Sequence, residues 1–190
     1  GAESRTAGTE MVNYADEDGN LQIDGEMGEC VSGLGDLNGD GYADWSAGAP
    51  RANALRPNAG AVQIIYGEAV SHGAPTPAST IVGEHSDTDL CMVASAGDVD
   101  GDGVQDVVLG APGVEYAGAK TGAAYMLFGP VAGNFDLKRS GVRLPGHYAG
   151  DQAGHSVAGA GDVNADGFDD IVVGAYGYPE GQNRGAVYVM

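Results

Sequence analysis

Asp98, Asp100, Asp102 and Asp106 occupy the first, third, fifth and ninth places of a nine-residue loop, with Gly103 at the sixth. Oxygen-bearing side chains at that spacing can wrap a single cation. The glycine allows the sharp turn, and the seventh residue can add its backbone carbonyl. Hard oxygen donors suit Ca²⁺ over softer metals. The surrounding stretch, GDVDGDGVQDVVLGAP (97–112), has two near copies, GDLNGDGYADWSAGAP from Gly35 and GDVNADGFDDIVVGAY from Gly161. The expected ligand sets are Asp36, Asn38, Asp40, Tyr42 (carbonyl) and Asp44; Asp98, Asp100, Asp102, Val104 (carbonyl) and Asp106; and Asp162, Asn164, Asp166, Phe168 (carbonyl) and Asp170. About three Ca²⁺ ions are expected on this pattern. Asp169, at the eighth place, is expected to point away from its own loop.

The twelfth place separates this pattern from a helix-flanked calcium loop. A bidentate Glu belongs there in an EF-hand. Here it holds Ala47, Leu109 and Val173, which are strand residues. The loop is therefore expected to join two strands as a hairpin. A plain acidic turn is the alternative for any one loop. Three in register argue against it, because close carboxylates without a cation repel by roughly 1 kcal/mol per pair even in solvent.

The loops must be carried by a repeat. They begin at Asp36, Asp98 and Asp162, in steps of 62 and 64 residues, and other features keep that step. A short apolar element precedes each loop (Leu21–Ile23, Thr80–Val82, Val142–Leu144). A run of small residues follows it (31–35, 93–97, 157–161). After each loop come an apolar strand, a Gly-rich connection and another strand (61–66, 123–128, 186–190). About four strands per repeat is the content of one propeller blade. The expected fold is all-β, with about three blades of four antiparallel strands over 21–190, after an irregular segment over 1–20. The small-residue run reads as the crowded innermost strand, and Trp45 as core between blades. Asp16–Asn20 reads as a turn between Met11–Tyr14 and Leu21–Ile23, in preference to a fourth cation loop.

Composition narrows the partners. The 190-residue chain carries 27 acidic against 8 basic residues, a formal net charge of −19. A nucleic-acid partner is excluded, because phosphate binding needs clustered Lys and Arg. Eleven of the 27 acids sit in the three loops, so three divalent cations would bring −19 to −13. No apolar run is long enough for a membrane-spanning helix, so no membrane insertion is expected. Cys30 and Cys91 precede their loops by six and seven residues, an offset that turns them to opposite strand faces. Two buried free thiols are expected in preference to a disulfide.

These repeats resemble the FG-GAP repeat of integrin α-subunit propellers and of many secreted bacterial proteins. The resemblance covers 21–190. It rests on the acidic loop, on Gly48-Ala49-Pro50 and Gly110-Ala111-Pro112 after it, and on the Val-Tyr-Val-like strand. The Phe-Gly pair itself is replaced by Met27-Gly28, Asp89-Leu90 and Ala153-Gly154, and the third GAP by Gly174-Ala175-Tyr176. The resemblance implies structural calcium loops on one face and ligand recognition on the opposite one. The ligand-face candidates are Arg51, Arg56, Tyr116, Tyr148, Tyr176, Tyr178 and Arg184, with His85 and His147 nearby. The implied role is an extracellular or cell-surface module for adhesion, binding protein or glycan. Closed propellers need about four to eight blades, so further blades are expected from a longer chain or from other copies. Alternatives are a structural subunit of a surface complex, or the non-catalytic propeller part of a secreted polysaccharide-acting enzyme. His85, His147 and His155 sit in no recognisable catalytic arrangement, so no enzymatic activity is expected.

Overall fold

The computed structural model describes residues 14–15, 21–22, 25–68, 77–178 and 185–190. Three antiparallel sheets, one per repeat, stack face to face as blades. Blade one contains β3 (Cys30–Gly35), β4 (Asp44–Ala49), β5 (Ala61–Ile65) and β6 (Ser79–Val82), hydrogen-bonded in that order. Blade two contains β7 (Met92–Gly97), β8 (Asp106–Ala111), β11 (Ala123–Leu127) and β13 (Val142–Pro145). Blade three has three described strands, β14 (Ala153–Gly161), β15 (Asp170–Ala175) and β16 (Ala186–Val189). A small hairpin, β9 (Glu115–Tyr116) with β10 (Ala119–Lys120), decorates the connection between β8 and β11.

Two features depart from the four-strand expectation. Strand β12 (Gly133–Asp136) leaves the second repeat and adds to β6 in parallel, giving blade one a fifth strand. Strand β2 (Leu21–Gln22) pairs with β1 (Tyr14–Ala15) and, among the described residues, joins none of the three blade sheets.

The apolar runs become strands buried on both faces, as sheets sandwiched between layers require. Along β8, Val107, Leu109 and Ala111 face blade one and join Leu34, Val62, Ile64 and Tyr125 in one core. Val108 faces the other way, into a second core with Met126, Ile171, Val173 and Ala175 of blades two and three. Each such side chain contributes roughly 1.5–3 kcal/mol by leaving water. Trp45 departs from its expected place. It is 37% exposed, whereas Val107 and Ile171 at the matching positions are 0% and 2% exposed. Val107 and Ile171 face the preceding blade, whereas Trp45 lies on the side of blade one turned away from blade two, which no blade among the described residues covers. The inner strands are small-residued as expected, yet β3 and β14 are largely exposed.

Cys30 and Cys91 form a disulfide, with Cα atoms 5.8 Å apart, which corrects the expectation of free thiols. The one-residue offset is the reason. Cys30 pairs with Gly48 on the face of blade one that looks at blade two. Cys91 lies one residue before Met92, the partner of Gly110, and so looks back toward blade one with Val93. Opposite faces of consecutive sheets are the faces that meet. Gly48 makes room for the bridge, since a Cβ there would lie 2.8 Å from the Cys91 carbonyl and 3.0 Å from its sulfur. The bridge closes a separation of 61 residues. Replacing both cysteines by Ala is expected to lower the unfolding free energy by about 4 kcal/mol, from the chain entropy of that loop. Urea unfolding under oxidising and reducing conditions measures it, and an unchanged midpoint would refute the estimate.

Candidate functional site

Each acidic loop is aimed by the same device. The strand entering it carries an irregularity at Gly33/Gly35, Ser95/Gly97 or Gly159/Gly161, directly before the first aspartate. A bulge inserts a residue and turns the next side chain. The first aspartate then folds back over the turn. Asp36 Oδ2, Asp98 Oδ2 and Asp162 Oδ2 each accept the N–H of the sixth-place glycine (Gly41, Gly103, Gly167) at 2.9 Å. The fifth-place carboxylates accept the seventh-place N–H: Asp40 from Tyr42 at 2.9 Å, Asp102 from Val104 at 2.8 Å, and Asp166 from Phe168 at 3.0 Å. At the third place, Asn38, Asp100 and Asn164 accept the fifth-place N–H at 3.0, 3.2 and 2.8 Å.

The ninth-place aspartates are buried, at 1% (Asp44), 0% (Asp106) and 8% (Asp170) exposure. Each opens the outgoing strand and accepts the N–H of the loop's second residue: Leu37 at 2.7 Å, Val99 at 2.8 Å, Val163 at 2.9 Å. The other oxygens of Asp44 and Asp106 accept from Gly67 and Gly129, just past β5 and β11. Burial pushes the Asp106 carboxyl above its ordinary range. Asp100 and Asp102 add to that push, and the N–H groups of Gly129 and Val99 oppose it.

The second loop carries a carboxylate, Asp100, at the third place, where the other two carry Asn38 and Asn164. Asp98, Asp100 and Asp106 each offer an oxygen within 4.8 Å of the others. Asp98 Oδ1 is shielded from solvent and has no hydrogen-bond partner among the described residues. An anionic oxygen left unpaired in such a place is unfavourable without a positive partner. The donor set and this orphaned atom together fit a hard cation. Asp169 does point away from its own loop. Its carboxylate accepts the Asp98 N–H at 2.9 Å, and its own N–H donates to the Asp98 carbonyl at 3.1 Å.

The opposite ends of the same strands carry the rim candidates. Tyr116, Tyr148 and Tyr176 are 44%, 49% and 52% exposed. Tyr148 rests against His147 at 4.4 Å and Tyr178 at 5.5 Å between ring centres, and Tyr176 against His155 at 4.5 Å. Tyr178 is half-buried on the second core and supports Tyr148. His155, on β14, is exposed beside Tyr176. Arg51 stays exposed, with Glu26 at 3.3 Å. Arg56 does not serve as a free contact. It makes a two-pronged pair with Asp136 at 3.0 and 2.8 Å and donates to the Gly83 carbonyl, fastening β12 to blade one. Arg184 lies outside the described residues.

Sequence reasoning missed three carboxylates that organise this rim. Asp136 holds Arg56. Asp151, fully buried, accepts the Tyr148 N–H at 2.6 Å through Oδ2 and so sets that ring's place. Thr88 does the same for His85 in the preceding repeat, so aligning 84–90 with 147–153 would have pointed to it. Glu84 is the third. It accepts from the Tyr125 hydroxyl at 2.6 Å and from Arg143 at 2.7 and 2.9 Å, while Arg143 lies 4.8 Å from the Tyr116 ring centre.

The FG-GAP repeat model matches residues 31–65, 93–125 and 153–190, one match for each blade. The chain belongs to the FG-GAP repeat family. Its sheets are blades of the β-propeller kind. This FG-GAP chain is similar to integrin alpha pat-2 of Caenorhabditis elegans, 28% identical over 189 residues, covering 92% of the chain and 14% of that relative. It is similar to integrin alpha-5 of Xenopus laevis, 32% identical over 176 residues, covering 88% and 16%. It is also similar to integrin alpha-IIb of Homo sapiens, 30% identical over 163 residues, covering 80% and 15%. The chain thus spans about a seventh of the length of the curated relatives it matches.

In this FG-GAP chain the Glu84 network makes the rim's stability depend on pH. Burial pushes Glu84 up, but the Tyr125 hydrogen bond and the charge and hydrogen bonds of Arg143, with His85 beside it, more than offset this and hold it below the ordinary carboxylate range. A lowered carboxylate contributes its full stability above the unfolded value and loses it as pH falls through the folded value. Arg143→Ala is expected to cost about 2 kcal/mol at neutral pH. It should also flatten the decline in stability below about pH 4.5. Urea titrations at both ends of that range check it, and an acid-side slope that survives the substitution would refute the assignment.

Proposed function

We propose that the chain is a calcium-stabilised, extracellular β-propeller module that binds protein or glycan through the rim opposite its acidic loops. The observation that carries this reading is the separation of the two ends. Carboxylates cluster where β3, β7 and β14 run into β4, β8 and β15. Exposed Tyr116, Tyr148 and Tyr176 stand at the far ends of those strands. Aromatic residues held by neighbours and open to solvent are effective contact anchors. The Cys30–Cys91 bridge supports an oxidising, extracellular setting. Among the described residues no helix is long and apolar enough to cross a membrane.

The proposed cation ligands are Asp36, Asn38, Asp40, Asp44; Asp98, Asp100, Asp102, Asp106; and Asp162, Asn164, Asp166, Asp170, with the carbonyls of Tyr42, Val104 and Phe168. Bound Ca²⁺ would neutralise carboxylates that otherwise crowd one another, and so tighten the hairpins. The rim chemistry falls to Tyr116, Tyr148 and Tyr176, with Arg51 as an exposed cation and Tyr178 as support. The role is binding and not catalysis. Calcium at a hundredfold excess over its Kd contributes about 2.7 kcal/mol per site. Chelation should therefore lower the melting temperature and calcium should restore it, whereas a melting temperature indifferent to chelator would end the calcium reading. On glycan and matrix-protein arrays, Tyr148→Ala with Tyr176→Ala should reduce capture about tenfold or more without altering the calcium response of the melt. Undiminished capture would move the binding surface elsewhere.

A second reading, an assembly subunit, is favoured by one face. Val187 and Val189 of β16 are 66% and 57% exposed on the side of blade three turned away from blade two. Further blades, from a longer chain or from other copies, would cover this face. Solution mass at varied concentration distinguishes the sources: a ring of copies gives a multiple of the chain mass, and a monomer at all concentrations removes it.

A further inference from the structure

We propose that Asp169 is a positioning residue that couples the third cation loop to the second, so that a cation held by blade three strengthens binding in blade two. This rests on the calcium reading of the loops. Asp169 is flanked by two proposed ligands of the third loop, the Phe168 carbonyl and the Asp170 carboxylate. It also reaches across to the first ligand of the second loop. Its carboxylate accepts the Asp98 N–H at 2.9 Å, and its N–H donates to the Asp98 carbonyl at 3.1 Å, so the Asp98 backbone is bracketed on both sides.

The fit of the two blades is specific to this contact. Gly97 has φ +82°, and a Cβ built there would fall within the Asp169 carboxylate. The Phe168 ring covers Gly101, with Cε1 2.7 Å from where a Cβ would stand. The third loop is thus seated on the second through its own seventh and eighth residues. The second loop, on which the third sits, also holds Asp98, Asp100 and Asp106 with an oxygen each within 4.8 Å of the others, and its Asp98 Oδ1 is shielded and without a hydrogen-bond partner among the described residues.

The sister loops lack the bracket. At the eighth place the first loop has Ala43, which has no acceptor. The second has Gln105, whose Oε1 accepts from Ser95 of its own blade at 2.8 Å. The coupling therefore runs from loop three to loop two, and loop one stands apart. A cation that fixes Phe168 and Asp170 fixes the residue between them, and with it the backbone that presents Asp98.

The three sixth-place glycines provide matched reporters, because each donates its N–H to the first-place carboxylate at 2.9 Å. Calcium titrations of the ¹⁵N-labelled chain, followed at the amides of Gly41, Gly103 and Gly167, read the loops separately. In Asp169→Ala the Gly103 midpoint should weaken roughly fivefold or more, with Gly41 unchanged. Asp162→Ala, which disables the third loop, should weaken Gly103 similarly, and combining the two should add nothing further. Asp169→Asn keeps an acceptor oxygen and should return Gly103 to within roughly twofold of the parent. Ala43 shows that the hairpin accepts alanine at this place, and Gly41 reports that the variants remain folded. A Gly103 midpoint unmoved by Asp169→Ala, equal weakening at Gly41, or additive effects of the two substitutions would overturn the proposal. Glycine amides that ignore calcium in the parent chain would instead overturn the calcium reading itself.

Discussion

The buried ninth-place aspartate is the interaction on which the rest of the structure depends. Asp44, Asp106 and Asp170 each begin a strand and grip the N–H of the loop's second residue. Asp44 and Asp106 use their other oxygen on the glycine just after the third strand. Loop and strands are therefore fastened at one point. A neutral side chain could satisfy some of these donors, but only a carboxylate can also contribute negative charge to the cluster. Its cost is visible in Asp106, which burial and its acidic neighbours push above its ordinary range. Structural fastening and the negative charge of the loop thus draw on the same buried carboxylate.

From that fixed point the strand register follows, and from the register the faces. Because side chains alternate across each strand, setting Asp106 sends Val107, Leu109 and Ala111 toward blade one and Val108 toward blade three. The loops, the apolar runs and the repeat step were legible in the sequence because each is local, whereas the blade that each strand face meets was not. The disulfide departs from the expectation for a physical reason. The offset of Cys30 and Cys91 does turn them to opposite faces. Judged within a single sheet that separates them, but between stacked sheets it makes them meet.

What the sequence did not disclose is long-range and depends on which chain segments the stacking brings together. Arg56 and Asp136 are 80 residues apart, and nothing local marks them as a pair. Strand β12 adds to a blade that its own repeat did not build, so no periodicity announces it. Tyr125 looks like ordinary core, yet its hydroxyl is committed to Glu84 from the neighbouring repeat. Asp151 was hidden differently. It does for Tyr148 what Thr88 does for His85, and the change of residue type masks the shared turn. Such substitutions preserve an acceptor and its position while changing everything a motif would record.

The two ends of the blades are consequently under different constraints. At the loop end, a residue change alters charge, backbone hydrogen bonds and strand register together, and the three loops share most of one hydrogen-bond pattern; in the second, Asp98 Oδ1 does not take the fifth-place N–H that Asp36 Oδ1 and Asp162 Oδ1 accept. At the rim, the backbone turns are held from beneath by buried acceptors such as Thr88 and Asp151. The side chains above them are then free to differ, and they do: His85 and Tyr148 occupy matching places on equivalent turns. A scaffold secured by charge at one end leaves the other end chemically open. That division accounts for why the acidic loops stand out from spacing alone, whereas the rim has to be read from its contacts.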